Sequence, residues 1–216
     1  MSNDELERCV SDELSWDPKV DSAAIAVVAD RGRVTLRGTV GSFRERREAA
    51  HAARRVRSVT SVENELKVRP LTEHGREEAD LRGAVLRALE LDSLVPKTIE
   101  PRLDDGWVTL FGTAAWQYQR EEAATVAGNV PGVIGVDDRI DLKNPEPSPG
   151  DVKESIEYAL ARNAELDAHD LTVDTHDGTI AVMGRVRSWS QHDTAIAAAW
   201  AAPGVTEVVD HIVVDS

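Results

Sequence analysis

The chain has almost nothing to cross-link it: Cys9 is the one cysteine in 216 residues. A lone thiol excludes a disulfide framework and a cysteine-based zinc site. Positive charge is also in short supply, with 25 Lys and Arg against 39 Asp and Glu and a formal net charge of -14. A field of that sign repels DNA and anionic lipid as general partners, so nucleic-acid binding is not expected. Aromatic residues make up only 4%. Apolar runs are short and broken by charges, and none approaches the ~20 residues of a membrane-spanning helix. The first residues, MSNDELERCVSDELSW, carry acids where a secretory signal has a basic patch and an apolar run. A soluble, cytoplasmic protein is expected. A hydrophobic share of 41% is too high for a disordered chain, and the length allows one large domain or two to three small ones.

Self-similarity decides between those options. The segment Gly32-Arg33-Val34-Thr35-Leu36-Arg37-Gly38 returns as Gly106-Trp107-Val108-Thr109-Leu110-Phe111-Gly112 and as Gly178-Thr179-Ile180-Ala181-Val182-Met183-Gly184. At the same offsets Val59, Val62 and Leu66 fall on Val133, Val136 and Ile140, then on Val205, Val208 and Ile212; Asn64 meets Asp138 and Asp210. Upstream, Leu6 and Val10 match Leu81 and Val85, then Ile156 and Leu160, and Asp17 matches Asp92 and Asp167. The recurring positions are mostly apolar or glycine, which are the positions that packing and turns dictate. The chain therefore reads as three units, 1–70, 76–144 and 150–216.

Each unit has one pattern. In copy one, Leu6, Val10 and Leu14 lie four apart and predict a helix over Asp4 to Leu14. Ile25 and Val27, the turn Asp30-Arg31-Gly32 and the alternating Val34-Thr35-Leu36 predict a hairpin. A second helix is predicted over Arg44 to Val56, with Ala49, Ala50, Ala53 and Val56 on one face, and a closing strand over Val62 to Val68. A helix between strands two and three makes a crossover, so those strands run parallel while the hairpin is antiparallel. The fold class is α/β (α+β): three tandem α-β-β-α-β units, each a three-stranded mixed sheet covered by two helices. Trp16, aligned with Leu91 and Leu166, is expected in the core, and Cys9, aligned with Ala84 and Ala159, at its edge.

The helix, the Asp/Gly turn, the V-x-L-x-G-x-V strand of Val34 to Val40, the alanine-rich charged helix and the closing strand of Val59 to Leu66 resemble the BON domain, named for bacterial osmotically inducible and nodulation proteins. The resemblance runs through nearly the whole chain, three times. It implies a non-catalytic module, often in tandem, associated with envelope or osmotic stress and with contacts to phospholipid or partner proteins; some relatives are said to bind potassium. Two departures stand out. The export signal common in periplasmic members is not found, and Ser58 replaces the glycine of Gly132 and Gly204. If that residue needs positive φ, serine costs about 1 kcal/mol or slightly more.

No constellation for catalysis emerges, so no enzyme, cofactor or metal site is expected. None of the six histidines recurs between copies; Asp174 with His176, and His169 with Asp170, could make a weak metal cluster, against the simpler reading of polar loop residues. Charge is more informative. Residues 1–70 carry +1, 71–145 carry -6 and 146–216 carry -9. Copy one's positives crowd onto helix two as Arg44, Arg46, Arg47, Arg54, Arg55 and Arg57. That face is either solvated, with Glu45 and Glu48 interleaved, or an anion-facing surface. Its expected partner is acidic protein surface or another copy of the chain, with anionic phospholipid as the alternative. Phe43, Trp116 and Trp189 recur at the turn into helix two, either as staples that seat the helix or as a repeated contact surface. Trp107 alternates away from the core pair Val108 and Leu110 and is expected to be exposed; Trp200 could bridge copies.

Overall fold

A computed structural model describes residues 1–69, 78–143, 149–163, 171–176 and 178–215. Copy one begins with α1, Asn3–Trp16, opened by a capping box: the Glu5 N–H donates to the Ser2 hydroxyl and the Ser2 N–H to the Glu5 carboxylate. Leu6, Val10 and Leu14 are the buried residues of this helix, as their spacing requires. The hairpin of β1, Ile25–Asp30, and β2, Arg33–Val40, closes through Arg31 and Gly32 at φ 49 and 86, the two left-handed residues of a tight hairpin turn. Next come α2, Phe43–Arg55, and β3, Ser61–Val68, which pairs parallel to β2. The sheet order is β1-β2-β3, with the motif strand in the centre.

Copy two repeats this with α3, Glu78–Leu91, β4, Glu100–Asp104, β5, Trp107–Ala114, α4, Gln117–Gly128, and β6, Gly135–Leu142. Copy three does so with α5, Pro149–Arg162, β7, Leu171–His176, β8, Thr179–Val186, α6, Trp189–Trp200, and β9, Glu207–Val214. The sheet orders are β4-β5-β6 and β7-β8-β9. By compactness the chain forms two units: Met1–Gly112 with Gln119–Asp141, and Thr113–Tyr118 with Leu142–Ser216. The first holds the sheet of copy one and most of copy two; the second holds copy three.

In copy one the core comprises Leu6, Val10 and Leu14 from α1, Val34, Leu36 and Val40 from β2, Ala49, Ala52 and Ala53 from α2, and Val59 and Leu66 around β3. Copy three buries Ile156 and Leu160 where copy one has Leu6 and Val10, and Ile180, Val182, Val186, Ala195, Ala199 and Val205 where it has Val34, Leu36, Val40, Ala49, Ala53 and Val59; Val152 and Val214 add to its core. Burying each large aliphatic side chain stabilises by about 1.5–3 kcal/mol. The alanines bring the second helix down onto the sheet.

The glycine ending V-x-L-x-G has a steric cause. Gly38 lies at φ 131, and a Cβ there would run into the Ala24 carbonyl oxygen; Gly112, at φ 125, meets the Thr98 carbonyl in the same way. Ser58 adopts φ 71 where Gly132 and Gly204 adopt 105 and 84, so copy one holds a serine in a left-handed conformation. The edge strands are also dressed. The Glu7 carboxylate accepts the outward N–H of Ala29 in β1 at 2.9 Å, and Asn3 accepts that of Arg31 at 3.0 Å. In β4 the position equivalent to Val27 is Pro101, which has no N–H to expose.

Two expectations fail. Trp16 is 86% exposed and Leu91 85%. Each follows the last buried residue of its helix by two positions, about 200° around the axis, and so faces away from the core. Cys9 is exposed rather than at the core edge, because it lies about 100° round from Val10 on a helix that buries only one narrow stripe.

Candidate functional site

The arginines of α2 divide by what surrounds them. Arg44 is exposed in the first turn. The Arg46 guanidinium donates to the Asn64 carbonyl at 3.2 Å, and the Asn64 amide donates back to the Arg46 carbonyl at 2.7 Å. Arg47 donates to the Thr125 hydroxyl of α4 at 3.4 Å. Arg54 is half-buried. Arg55 is held from two sides, donating Nε to Glu13 and Nη2 to Asp17, both at 2.8 Å. The Arg55 hydrogen bond, with the Lys19 N–H behind it, keeps the buried Asp17 carboxyl below the usual carboxylate range, and Asp17 and then Glu13 push the Arg55 guanidinium up in turn. Arg46, Arg47 and Arg55 thus turn toward the protein itself.

The aromatic residues at the helix-two turn are all half-buried. Phe43 lies against Gly128 of α4 so closely that a Cβ at Gly128 would stand 2.8 Å from the ring. With Arg47 and Thr125 this makes a contact between α2 of copy one and α4 of copy two inside the first compact unit. Trp189 packs on the core of copy three and meets the His192 ring edge-on at 4.8 Å. Trp116 sits in the turn before α4, and Trp200 packs against the core of copy three. Trp107 is 48% exposed on the sheet face opposite the helices, its ring lying over Gly135. On the same face Arg102 sits over the Phe111 ring at 5.5 Å.

A recurring latch went unread in the sequence. Asn64, Asp138 and Asp210 each accept the N–H two residues on, from Leu66, Ile140 and Ile212. Each also faces the fourth residue of helix two: Arg46, Arg120, whose Nε donates to Asp138 at 2.5 Å, and His192, whose Nε2 lies 2.7 Å from Asp210. The Asn/Asp recurrence is visible in the sequence; its partner is arginine in copies one and two and histidine in copy three, so it does not recur through all three. The structure also shows a groove of about 820 Å³ beside α3, lined by Leu86, Leu89, Leu91, Val95 and Ile99 together with Arg82 and Lys97.

Among the described residues no group of three or more His, Cys, Asp or Glu could hold a metal ion, and no helix is long and apolar enough to cross a membrane. Asp174 and His176 share one exposed face of β7; His169 and Asp170 lie outside the described residues.

The helix, hairpin, helix and strand of each copy coincide with matches to the family model described as BON domain, at residues 2–70, 77–144 and 150–216. The chain belongs to the BON domain family. A BON-family chain of this kind is similar to osmotically-inducible protein Y of Escherichia coli (strain K12), at 32% identity over 126 residues. That stretch is 54% of this chain and 62% of the relative, so the chain spans about three fifths of the length of the curated protein it matches. Solved structures of CdsD, described as a structural protein of the type III secretion system of Chlamydia trachomatis, align over 98% to 100% of the BON chain at 12% identity and a TM-score of 0.28. At that score the likeness carries nothing further.

Proposed function

We propose that this BON-domain chain is a non-enzymatic binding or scaffold protein of the osmotic or general stress response, acting through contacts with proteins. The stress setting rests on the likeness to osmotically-inducible protein Y. The protein-contact reading rests on one observation: the start of α2, with Phe43 over Gly128 and Arg47 on Thr125, already serves as a protein-docking surface between copies. A surface used once inside the chain suits use on another chain. Cross-linking with mass spectrometry before and after an osmotic upshift tests this. Cross-links from the helix-two turns of copies two and three to another protein or a second copy support it, and a chain that stays monomeric and uncross-linked in both conditions removes it.

A peripheral phospholipid-binding role is favoured by a different observation, the exposure of Trp16 and Leu91 at equivalent positions of two copies. Exposed tryptophan and leucine suit a membrane surface. Flotation with anionic vesicles separates the readings: binding lost in the Trp16→Ser, Leu91→Ser double variant supports lipid, and no flotation of the parent chain excludes it.

A further inference from the structure

Helix two is tied to the closing strand by Arg46 on the Asn64 main-chain carbonyl in copy one, by Arg120 on the Asp138 carboxylate in copy two and by a histidine in copy three. His192 has a carboxylate on each ring nitrogen: Asp193 at 3.0 Å from Nδ1 and Asp210 at 2.7 Å from Nε2. The side chain is 12% exposed. An ionised carboxylate only accepts hydrogen bonds, whereas a neutral imidazole donates from one nitrogen and presents a lone pair at the other. Both contacts are satisfied together only when both nitrogens carry a proton. The carboxylates lie on opposite sides of the ring, so they cannot converge on one metal ion. The Ile212 N–H, at 2.9 Å from the other Asp210 oxygen, fixes that carboxylate in place.

We propose that His192 is a proton-operated latch in copy three: the imidazolium ties α6 to β9 through Asp210 and holds Asp193, and loss of its proton loosens this contact and the Trp189 turn beside it. Among the described residues, no other charge on the packed elements faces this contact. On β9, Glu207 and His211 lie on the face opposite Asp210; on β8, Arg185 lies on that far face and pairs with Asp215. Helix α5 turns Val152, Ile156 and Leu160 inward and leaves Lys153, Glu154, Glu157 and Arg162 exposed. Arg187, before the helix, is exposed. Copies one and two have arginine here and cannot respond in this range, which makes them an internal control. The inference concerns copy three by itself and stands or falls independently of the proposed partners.

Native-state hydrogen exchange of the full chain at pH about 5.5 and about 8, on either side of imidazole's ordinary range, tests it. After correction for intrinsic rates, protection in α6 and β9 relative to α2 and β3 is expected to fall about two- to tenfold at the higher pH, the size of one hydrogen bond's net contribution. His192→Arg, the residue at the equivalent position of copies one and two, should abolish the change, and Asp210→Asn should reduce it. An unchanged ratio in the parent chain, or the same change in His192→Arg, overturns the proposal; the second result would move the effect to another group.

Discussion

Copies one and three share a backbone plan and differ by ten charges, from +1 for residues 1–70 to -9 for 146–216. Copy one ties its helices and loops together with ion pairs: Lys19 to Glu48 at 3.1 Å, and Arg55 to Glu13 and Asp17. In copy three the pairs among described residues are Lys153 to Glu157 within one helix, Arg185 to Asp215, and the two contacts of His192. The central strand and the second helix nonetheless bury matching positions, Val34, Leu36, Val40, Ala49 and Ala53 in copy one and Ile180, Val182, Val186, Ala195 and Ala199 in copy three. Exposed ion pairs contribute at most about 1 kcal/mol each. Apolar packing and the turn glycines define the unit, and each copy's electrostatics are free to diverge for other purposes.

The steepest way to break the comparison is at what the copies share. Gly38→Ala should destabilise copy one by about 3 kcal/mol or more, because the new Cβ meets the Ala24 carbonyl at a φ that alanine avoids. Urea titration read by copy-specific hydrogen exchange checks it. A smaller effect should separate the copies: Arg55→Ala leaves the buried Asp17 without its guanidinium and should cost about 1–3 kcal/mol in copy one, whereas Ala201 stands at the matching place in copy three. The same pair gives copy one an acid sensitivity. The Asp17 carboxyl is lowered in the folded chain, so its contribution is present well above the ordinary value of 3.8 and is lost as pH falls through the lower folded value. Asp17→Asn should remove that part of the acid response, as followed by circular dichroism. In the opposite direction, Ser58→Gly should stabilise copy one by about 1 kcal/mol, bringing it to the residue of Gly132 and Gly204. The smallest shift is expected for Trp16→Ser, within about 0.5 kcal/mol by the same urea titration, since the ring makes no core contact.

The repeat, the element order and the parallel crossover were legible in the sequence because apolar periodicity and glycine placement carry them directly. Alignment of Trp16 with Leu91 carries no burial signal, because both lie on the outer side of a helix whose inner stripe ends two residues earlier. Ala52 joins Ala49 and Ala53 on the inner face of α2, which is wider than a single row of alanines suggests. The arginines of α2 were visible as a cluster, but a one-dimensional pattern does not show that Arg55 reaches back to α1 or that Arg46 serves β3. Such pairings depend on which elements the fold brings together, and the side chains involved are long enough to have several choices.

Tethering three sheets of one design on a single chain creates a hazard that separate domains do not face, since each strand finds a near-double close by at every moment of folding. Glu7 covering an outward donor of β1, Asn3 covering one in the turn after it, and Pro101 leaving a gap in the donor row of β4 make these edges poorer templates for a neighbour's strand. Small fittings of this kind oppose strand exchange between the copies.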